Sequence, residues 1–453
     1  MKNDHFTETI AAPATPPGRG GVGIVRISGP LASSVAERML KKVPPPREAV
    51  FSEFRNSAGE LLDEGLALFF KSPNSFTGED VLELQGHGGP VVLNRILQAV
   101  LELGVRIAEP GEFSLRAFLN NKMDLVQAEA VADLIEASSE RAAKLAVSSL
   151  KGVFSEKIHA LVEALIQLRM YVEAAIDFPE EEIDFLEEGK VADQVMGLLE
   201  RLKKIFEEAH QGVLIKEGMK LVILGKPNAG KSSLLNALAG EERAIVTDIP
   251  GTTRDVLREH IHIEGVPLHI LDTAGLREAT DVVEAEGIRR ALKVAREADR
   301  LLVVIDATEL EAGSPQTELR STYKEIFDLD IPVTWVVNKI DLISSSTTMG
   351  NETLKISAKT GQGLDLLKKH LLMGLGISTQ QEGLFLARTR HLDALQKAQT
   401  HLEAGLKRIV EDRAGELLAE ELKETQKALG LITGEFRADD LLGVIFSKFC
   451  IGK

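Results

Sequence analysis

The chain has 453 residues, 44% of them hydrophobic and 27% charged, which is enough apolar content for two to four folded cores. Its 69 acidic against 53 basic residues give a net charge of −16; this argues against broad, non-specific nucleic-acid binding, though not against a local basic patch. One cysteine, Cys450, excludes an internal disulfide framework and fits a reducing cytoplasm, while the absence of any long apolar run predicts neither a signal peptide nor a membrane association.

Residues 1–120 mix β-like runs (23–27, 66–70, 81–84) with glycine-rich turns and one helical pattern at 91–103, and read as a compact α+β domain. The glycines at 18–23 could cradle an anion or form a structural turn. No strand is read ahead of them, so they are not a dinucleotide fingerprint. Glu83 falls in a predicted strand before the glycine-rich 85–89 stretch, either serving a ligand or paired with a cation. His87 reads as a turn residue rather than a base.

From 121 to 215 the pattern becomes helical, with apolar residues three and four apart at 128–134 and 161–172. Residues 177–188 hold seven carboxylates and no basic residue, which predicts a solvated face or a helix boundary. Helical texture returns over 378–453, at 392–409, 415–429 and 438–449. The simplest architecture inserts the intervening module, 216–377, into one discontinuous helical domain.

That module opens with the most informative stretch of the chain, Gly225-Lys-Pro-Asn-Ala-Gly-Lys-Ser-Ser233. Gly225 and Gly230 let successive backbone N–H groups turn inward around a triphosphate. Lys231 can reach the β- and γ-phosphates, and the Ser232 hydroxyl can ligate Mg²⁺. The apolar run 219–224 before it predicts a buried strand, and the residues from Ser233 onward predict a helix whose N-terminus faces the phosphates. Three more tetrapeptides follow in order, each at a predicted strand end. Asp272-Thr273-Ala274-Gly275 is placed for the Mg²⁺ shell and the γ-phosphate. Asn338-Lys339-Ile340-Asp341 offers a carboxylate to the paired donors of guanine, which adenine lacks. Ser357-Ala358-Lys359 offers a backbone N–H to the guanine carbonyl. Four such elements in this order predict a GTPase.

The position directly after Gly275, where many GTPases place a water-orienting glutamine, is Leu276. The group that orients water must come from elsewhere, and Glu278, Asp281, Glu284 and Glu286 are the candidates. Arg254 and Arg277 are possible arginine fingers, but both fall in expected switch segments. Alternatively Asn228 and residues 247–253 could cage a monovalent cation that does an arginine's electrostatic work. The tail Phe446-Ser-Lys-Phe-Cys-Ile-Gly-Lys453 is not a prenylation signal, because Gly452 and Lys453 do not fit one. Cys450 is either a buried core cysteine or a reactive thiol delivered to a site by the tail, and it is kept as a catalytic candidate.

On these residues the chain resembles the MnmE (TrmE) family of tRNA-modification GTPases over essentially its whole length. The most specific marks are residues 14–23, Phe76-Thr77-Gly78-Glu79-Asp80, Pro110-Gly111-Glu112-Phe113, the GTPase set with Gly251-Thr252-Thr253-Arg254-Asp255, and Phe449-Cys450-Ile451-Gly452-Lys453. The resemblance implies a multidomain α/β and α protein. It would have an N-terminal α+β folate-binding-like domain that makes the homodimer, a discontinuous helical domain and an inserted Ras-like P-loop GTPase domain. It implies an FAD-containing partner, MnmG (GidA), in a heterotetramer or larger assembly. The pair would add an aminomethyl or carboxymethylaminomethyl group at C5 of the wobble uridine of certain tRNAs. A 5-formyl- or methylene-tetrahydrofolate would supply the one-carbon unit.

The same resemblance implies a folate site of Arg26, Glu83, Lys122 and Lys453. A K⁺ cage would comprise Asn228, Thr247, Ile249 and Thr252, and activate hydrolysis through K⁺-dependent G-domain dimerisation. Mg²⁺ would sit on Ser232 and Thr253, and Glu284 would be the water-orienting carboxylate. The GTP-binding set becomes Asn228, Ala229, Gly230, Lys231, Ser232 and Ser233, then Thr247, Asp248, Ile249, Pro250, Gly251, Thr252 and Thr253. Asp272, Thr273, Ala274, Gly275, Asn338, Lys339, Asp341, Ser357, Ala358 and Lys359 complete it, with Lys231 also catalytic. The competing reading is a regulatory or ribosome-assembly GTPase with no modification chemistry of its own. Such a protein should carry a basic RNA-binding appendage, where this chain carries an acidic helical host.

Overall fold

The computed structural model describes residues 8–177, 188–240, 259–271, 292, 295–296, 298–312, 315–343, 353–374, 384–412, 414–435, 439–447, 449–450 and 452. The chain forms two compact units. One comprises residues 1–132, 150–186 and 411–453, the other residues 133–149 and 187–410.

The first unit is built on a six-stranded sheet. Its strands are β1 (Ile10–Pro13), β2 (Gly20–Ser28), β3 (Val50–Arg55), β4 (Leu61–Phe70), β5 (Val81–Gly88) and β6 (Arg106–Ile107), in the spatial order β3-β4-β5-β2-β1-β6. Side chains alternate across the sheet. Val25, Ile27, Ala67, Phe69, Leu82 and Leu84 point into a core shared with helices Ala32–Leu40 and Pro90–Leu101. Arg26, between Val25 and Ile27, therefore faces the other way. The β2–β5 register sets it directly opposite Glu83.

A strand does precede the N-terminal glycines, contrary to the sequence reading, but it makes no nucleotide turn. β1 pairs antiparallel with β2, and Gly20–Gly23 lie within β2 where its register against β5 shifts. A Cβ at Gly23 would strike Leu93 and the Gly88 backbone, so glycine here lets two strands and a helix approach closely. His87 likewise belongs to β5 rather than to a turn.

In the same unit helix Val153–Asp177 packs on helix Gly415–Thr433. The last helix, Asp439–Phe446, buries Leu442, Ile445 and Phe446 with Phe449 against Phe118 and Leu125. The Cys450 carbonyl then accepts the Gly111 N–H at 3.4 Å, at the start of helix Glu112–Leu119, and the Gly452 carbonyl accepts from Arg26 of β2.

The second unit contains another six-stranded sheet. Its strands are β7 (Met219–Leu224), β8 (Glu259–Ile263), β9 (Val266–Leu271), β10 (Arg300–Asp306), β11 (Val333–Asn338) and β12 (Thr353–Lys355), ordered β12-β11-β10-β7-β9-β8. All neighbours are parallel except β8 and β9. The central strands are apolar on both faces, as strands covered on both sides must be, and two separate apolar clusters flank them. Since β9 and β10 lie on opposite sides of β7, connections diverge at its carboxyl end and open a crevice there. Helix Glu188–Glu217 packs along helix Thr389–Lys407. The buried Asp133 carboxylate joins these distant segments, accepting from Lys216 at 2.7 Å and Arg388 at 2.6 Å.

Candidate functional site

The loop between β7 and helix Lys231–Ala239 lies at the crevice, and its backbone is one that few sequences could adopt. Gly225 has φ +147° and Gly230 φ +90°, and Asn228 is left-handed at φ +62°. A Cβ on Gly225 would collide with the Val304 carbonyl, and one on Gly230 with Asn338 Nδ2. The glycines are therefore fixed by contact as well as by torsion. Gly230 caps the helix N-terminus, the positive end of the helix dipole, which favours an anion. Lys231 Nζ donates to the carbonyls of Gly225 and Lys226, at 2.7 Å each. The ammonium is thus held over the mouth of the loop, where phosphate oxygens could replace those carbonyls. Ser232 and Ser233 follow in the first helical turn. This cradle fits a triphosphate.

Asn338, 2% exposed, ends β11 and holds the site together. Its Nδ2 donates to the Ala229 carbonyl at 3.1 Å, and its Oδ1 accepts the Ala358 N–H at 3.0 Å. One side chain thereby ties the phosphate loop to both predicted base-recognition loops. Asp341 accepts from the buried Ser357 hydroxyl at 2.7 Å, which fixes its carboxylate. Lys339 is left-handed at φ +67° and donates to Asp306 Oδ2 at 2.6 Å; Lys359 lies exposed beyond.

Asp306 was missed by sequence reasoning, although it follows the apolar run of β10 as Asn338 follows that of β11. Burial pushes its carboxyl upward, but the Lys339 ammonium and the Thr308 N–H and hydroxyl outweigh this and hold it below the usual carboxylate value. Lys226 is a second omission: its ammonium bridges Glu318 at 2.7 Å and Glu309 at 3.4 Å. Nothing in the motif itself marks that partner set.

Several predicted residues lie outside the described ones: Thr247, Asp248, Ile249, Pro250, Gly251, Thr252, Thr253, Asp272, Thr273, Ala274, Gly275 and Glu284. So do Arg254, Leu276, Arg277, Glu278, Asp281, Glu286 and Lys453. Among the described residues no group of three or more histidine, cysteine or carboxylate side chains could hold a metal ion.

The second candidate site lies in the first unit. Arg26 Nε donates to Glu83 Oε1 at 2.9 Å, and Arg26 Nη1 to the Gly452 carbonyl at 3.3 Å. The paired-charge reading of Glu83 is therefore met, beside the tail. Lys122 donates to the Pro73 carbonyl at 2.9 Å, on the loop that carries Phe76. Cys450 is exposed, so the core-cysteine alternative does not hold.

Two family models divide the chain. One, described as GTP-binding protein TrmE N-terminus, matches residues 9–122; the other, MnmE helical domain, matches residues 125–450. The chain belongs to the MnmE family. A Yersinia pseudotuberculosis protein named tRNA modification GTPase MnmE is 58% identical over 452 residues, covering 99% of each chain. A Proteus mirabilis protein of the same name is 57% identical over 454 residues, covering 99% of this chain and all of its own. The match to these MnmE relatives thus spans both units.

Proposed function

We propose that the protein is a GTP hydrolase acting in tRNA modification. The observation that carries the nucleotide reading is the Asn338 bridge. It ties the phosphate loop to the Ala358 N–H, and the neighbouring Ser357 hydroxyl holds Asp341, as simultaneous recognition of phosphates and base requires. Membership of the MnmE family supports the link to tRNA.

In finer terms, the protein acts as a homodimer with an FAD-containing partner of the MnmG type. The product is an aminomethyl or carboxymethylaminomethyl group at C5 of the wobble uridine. The proposed division of labour follows the four segments 1–120, 121–215, 216–377 and 378–453. The N-terminal site takes a tetrahydrofolate derivative, which supplies the one-carbon unit. Arg26, Glu83, Lys122 and Lys453 form it, and the described members fit such a ligand: Glu83 offers a carboxylate to an amino-pyrimidinone edge, and the cations suit a glutamate tail. In the nucleotide site Lys231 and a Mg²⁺ on Ser232 and Thr253 hold the phosphates, K⁺ is caged by Asn228, Thr247, Ile249 and Thr252, and Glu284 orients water. Cytoplasmic localisation accords with this role. Among the described residues no helix is long and apolar enough to cross a membrane.

Mass analysis of wobble nucleosides in tRNA from cells lacking this protein tests the reading. Loss of the C5-modified uridine is expected, restored by the wild-type chain. Unchanged nucleosides would remove the tRNA function.

A further inference from the structure

The Arg26 guanidinium lies between two aromatic rings, 5.8 Å from the centroid of Phe76 and 5.8 Å from that of Phe113. The two rings differ in access. Phe113 is fully buried, whereas Phe76 is 36% exposed.

The loop that carries Phe76 is fastened from beneath. Ser28 Oγ lies 2.7 Å from Thr77 Oγ1 and donates to Glu79 Oε2 at 2.6 Å. Asn120 Nδ2 donates to the Thr77 carbonyl at 2.7 Å. Arg116, wholly buried, reaches Glu79 at 3.1 Å and Glu112 at 2.9 Å. Buried ion pairs of this kind are poor sources of net stability, because desolvation offsets the attraction; their best-attested use is to fix one conformation. Here the conformation fixed is that of residues 73–79. The ring is therefore preorganised, and a ligand stacking on it meets little ordering cost.

We infer that Phe76 is the stacking wall of the N-terminal ligand site, receiving the flat pyrimidinone face of a pterin whose amide edge meets Glu83, and that the Glu79–Arg116 pair positions it. The inference rests on the folate reading given above. A flat heteroaromatic ligand gains from an aromatic face, and Arg26 on the same ring adds a charged neighbour for the ligand's polar rim. Phe76 would then supply ring selectivity, which the charges alone cannot, since Glu83 and Arg26 would accept any guanidinium-like edge or carboxylate.

The test is calorimetric titration of the full-length protein with 5-formyltetrahydrofolate. Four variants are compared: Glu83→Ala, Phe76→Ala, Phe76→Leu and Phe76→Tyr, each checked by circular dichroism and melting temperature. Phe76→Ala and Phe76→Leu should weaken binding by about tenfold or more, the scale of flat-ring stacking on an aromatic side chain. Phe76→Tyr should bind within about threefold of wild type, as its ring is kept. Leucine fills much of the space without a π-face, so it separates stacking from packing. Loss in Glu83→Ala with wild-type binding by Phe76→Leu would overturn the inference and leave the folate reading standing. Wild-type binding by Glu83→Ala would overturn both.

Discussion

Asn338 Nδ2 donates to the Ala229 carbonyl across 109 residues of sequence, at 3.1 Å, and both groups are buried. The phosphate loop is thus positioned by the residue that opens the base-recognition loop. The proposed phosphate and base sites are thus mechanically one element.

Asn338→Ala should consequently damage both. It leaves the Ala229 carbonyl and the Ala358 N–H without this partner, at about 1–3 kcal/mol for the buried carbonyl and less for the part-buried N–H. A lower melting temperature and at least about tenfold weaker binding of a fluorescent GTP analogue are expected. Normal affinity would mean that the bridge is incidental to the site.

Asp341→Asn should move base preference from GTP toward xanthosine triphosphate. The amide can donate to the xanthine carbonyl where the carboxylate accepted from guanine. The Ser357 hydroxyl that holds Asp341 at 2.7 Å can still donate to the amide oxygen, so the side chain should keep its place. Competition between the two nucleotides measures the switch, and undiminished GTP preference would contradict the assigned base site.

Gly230→Ala should abolish nucleotide binding. At φ +90° an L-residue is strained by about 1–2 kcal/mol, and its Cβ would also collide with Asn338 Nδ2. The same substitution at Gly361, also left-handed at φ +83° but with nothing near its Cβ, should carry only the torsional strain. Equal loss of binding in both variants would show that the collision is unimportant.

Glu284→Ala should cut GTP turnover while leaving nucleotide affinity intact, since the proposed role is to orient water and not to touch the ground-state nucleotide. Replacing K⁺ by Na⁺ should also slow turnover, because the smaller ion suits long oxygen contacts poorly. Stopped assays of phosphate release in the two salts decide it: equal rates, or full turnover by the variant, would discard this part of the mechanism.

The Asp63–His87 pair gives a pH signature in the N-terminal unit. The ring lies 2.7 Å from Asp63 Oδ1, and this hydrogen bond raises the His87 pKa above the ordinary 6.5. Burial pushes Asp63 upward, but the His87 N–H and ring outweigh it, so its pKa falls below the ordinary 3.8. The stability from the raised histidine is present in full below 6.5 and is lost as pH rises through its folded value. The stability from the depressed aspartate is present above 3.8 and is lost as pH falls through its folded value. His87→Asn should therefore lower the melting temperature most between these two values and progressively less above neutrality. A pH-independent difference would show that the pair does not titrate as assigned.

The sequence by itself determined the local chemistry. The phosphate loop with its glycines, and the strands before it and before Asn338, were legible because each is dictated by neighbours within a few residues: apolar period, backbone torsion and capping. The same holds for helices such as Thr389–Lys407 and Gly415–Thr433, whose apolar spacing is regular. β1 was missed because Ile10–Pro13 is too short to show a period, and with it the hairpin that turns Gly20–Gly23 into strand. Only the tertiary structure decided the partners. Asp306 with Lys339, Lys226 with Glu318, Arg116 with Glu79, and Arg26 with the Gly452 carbonyl join residues from 33 to 426 positions apart. Ion pairs and buried hydrogen bonds have no period and no local spacing. They are set by which strand ends and loops the sheet order brings together, and a linear chain does not carry that order on its surface.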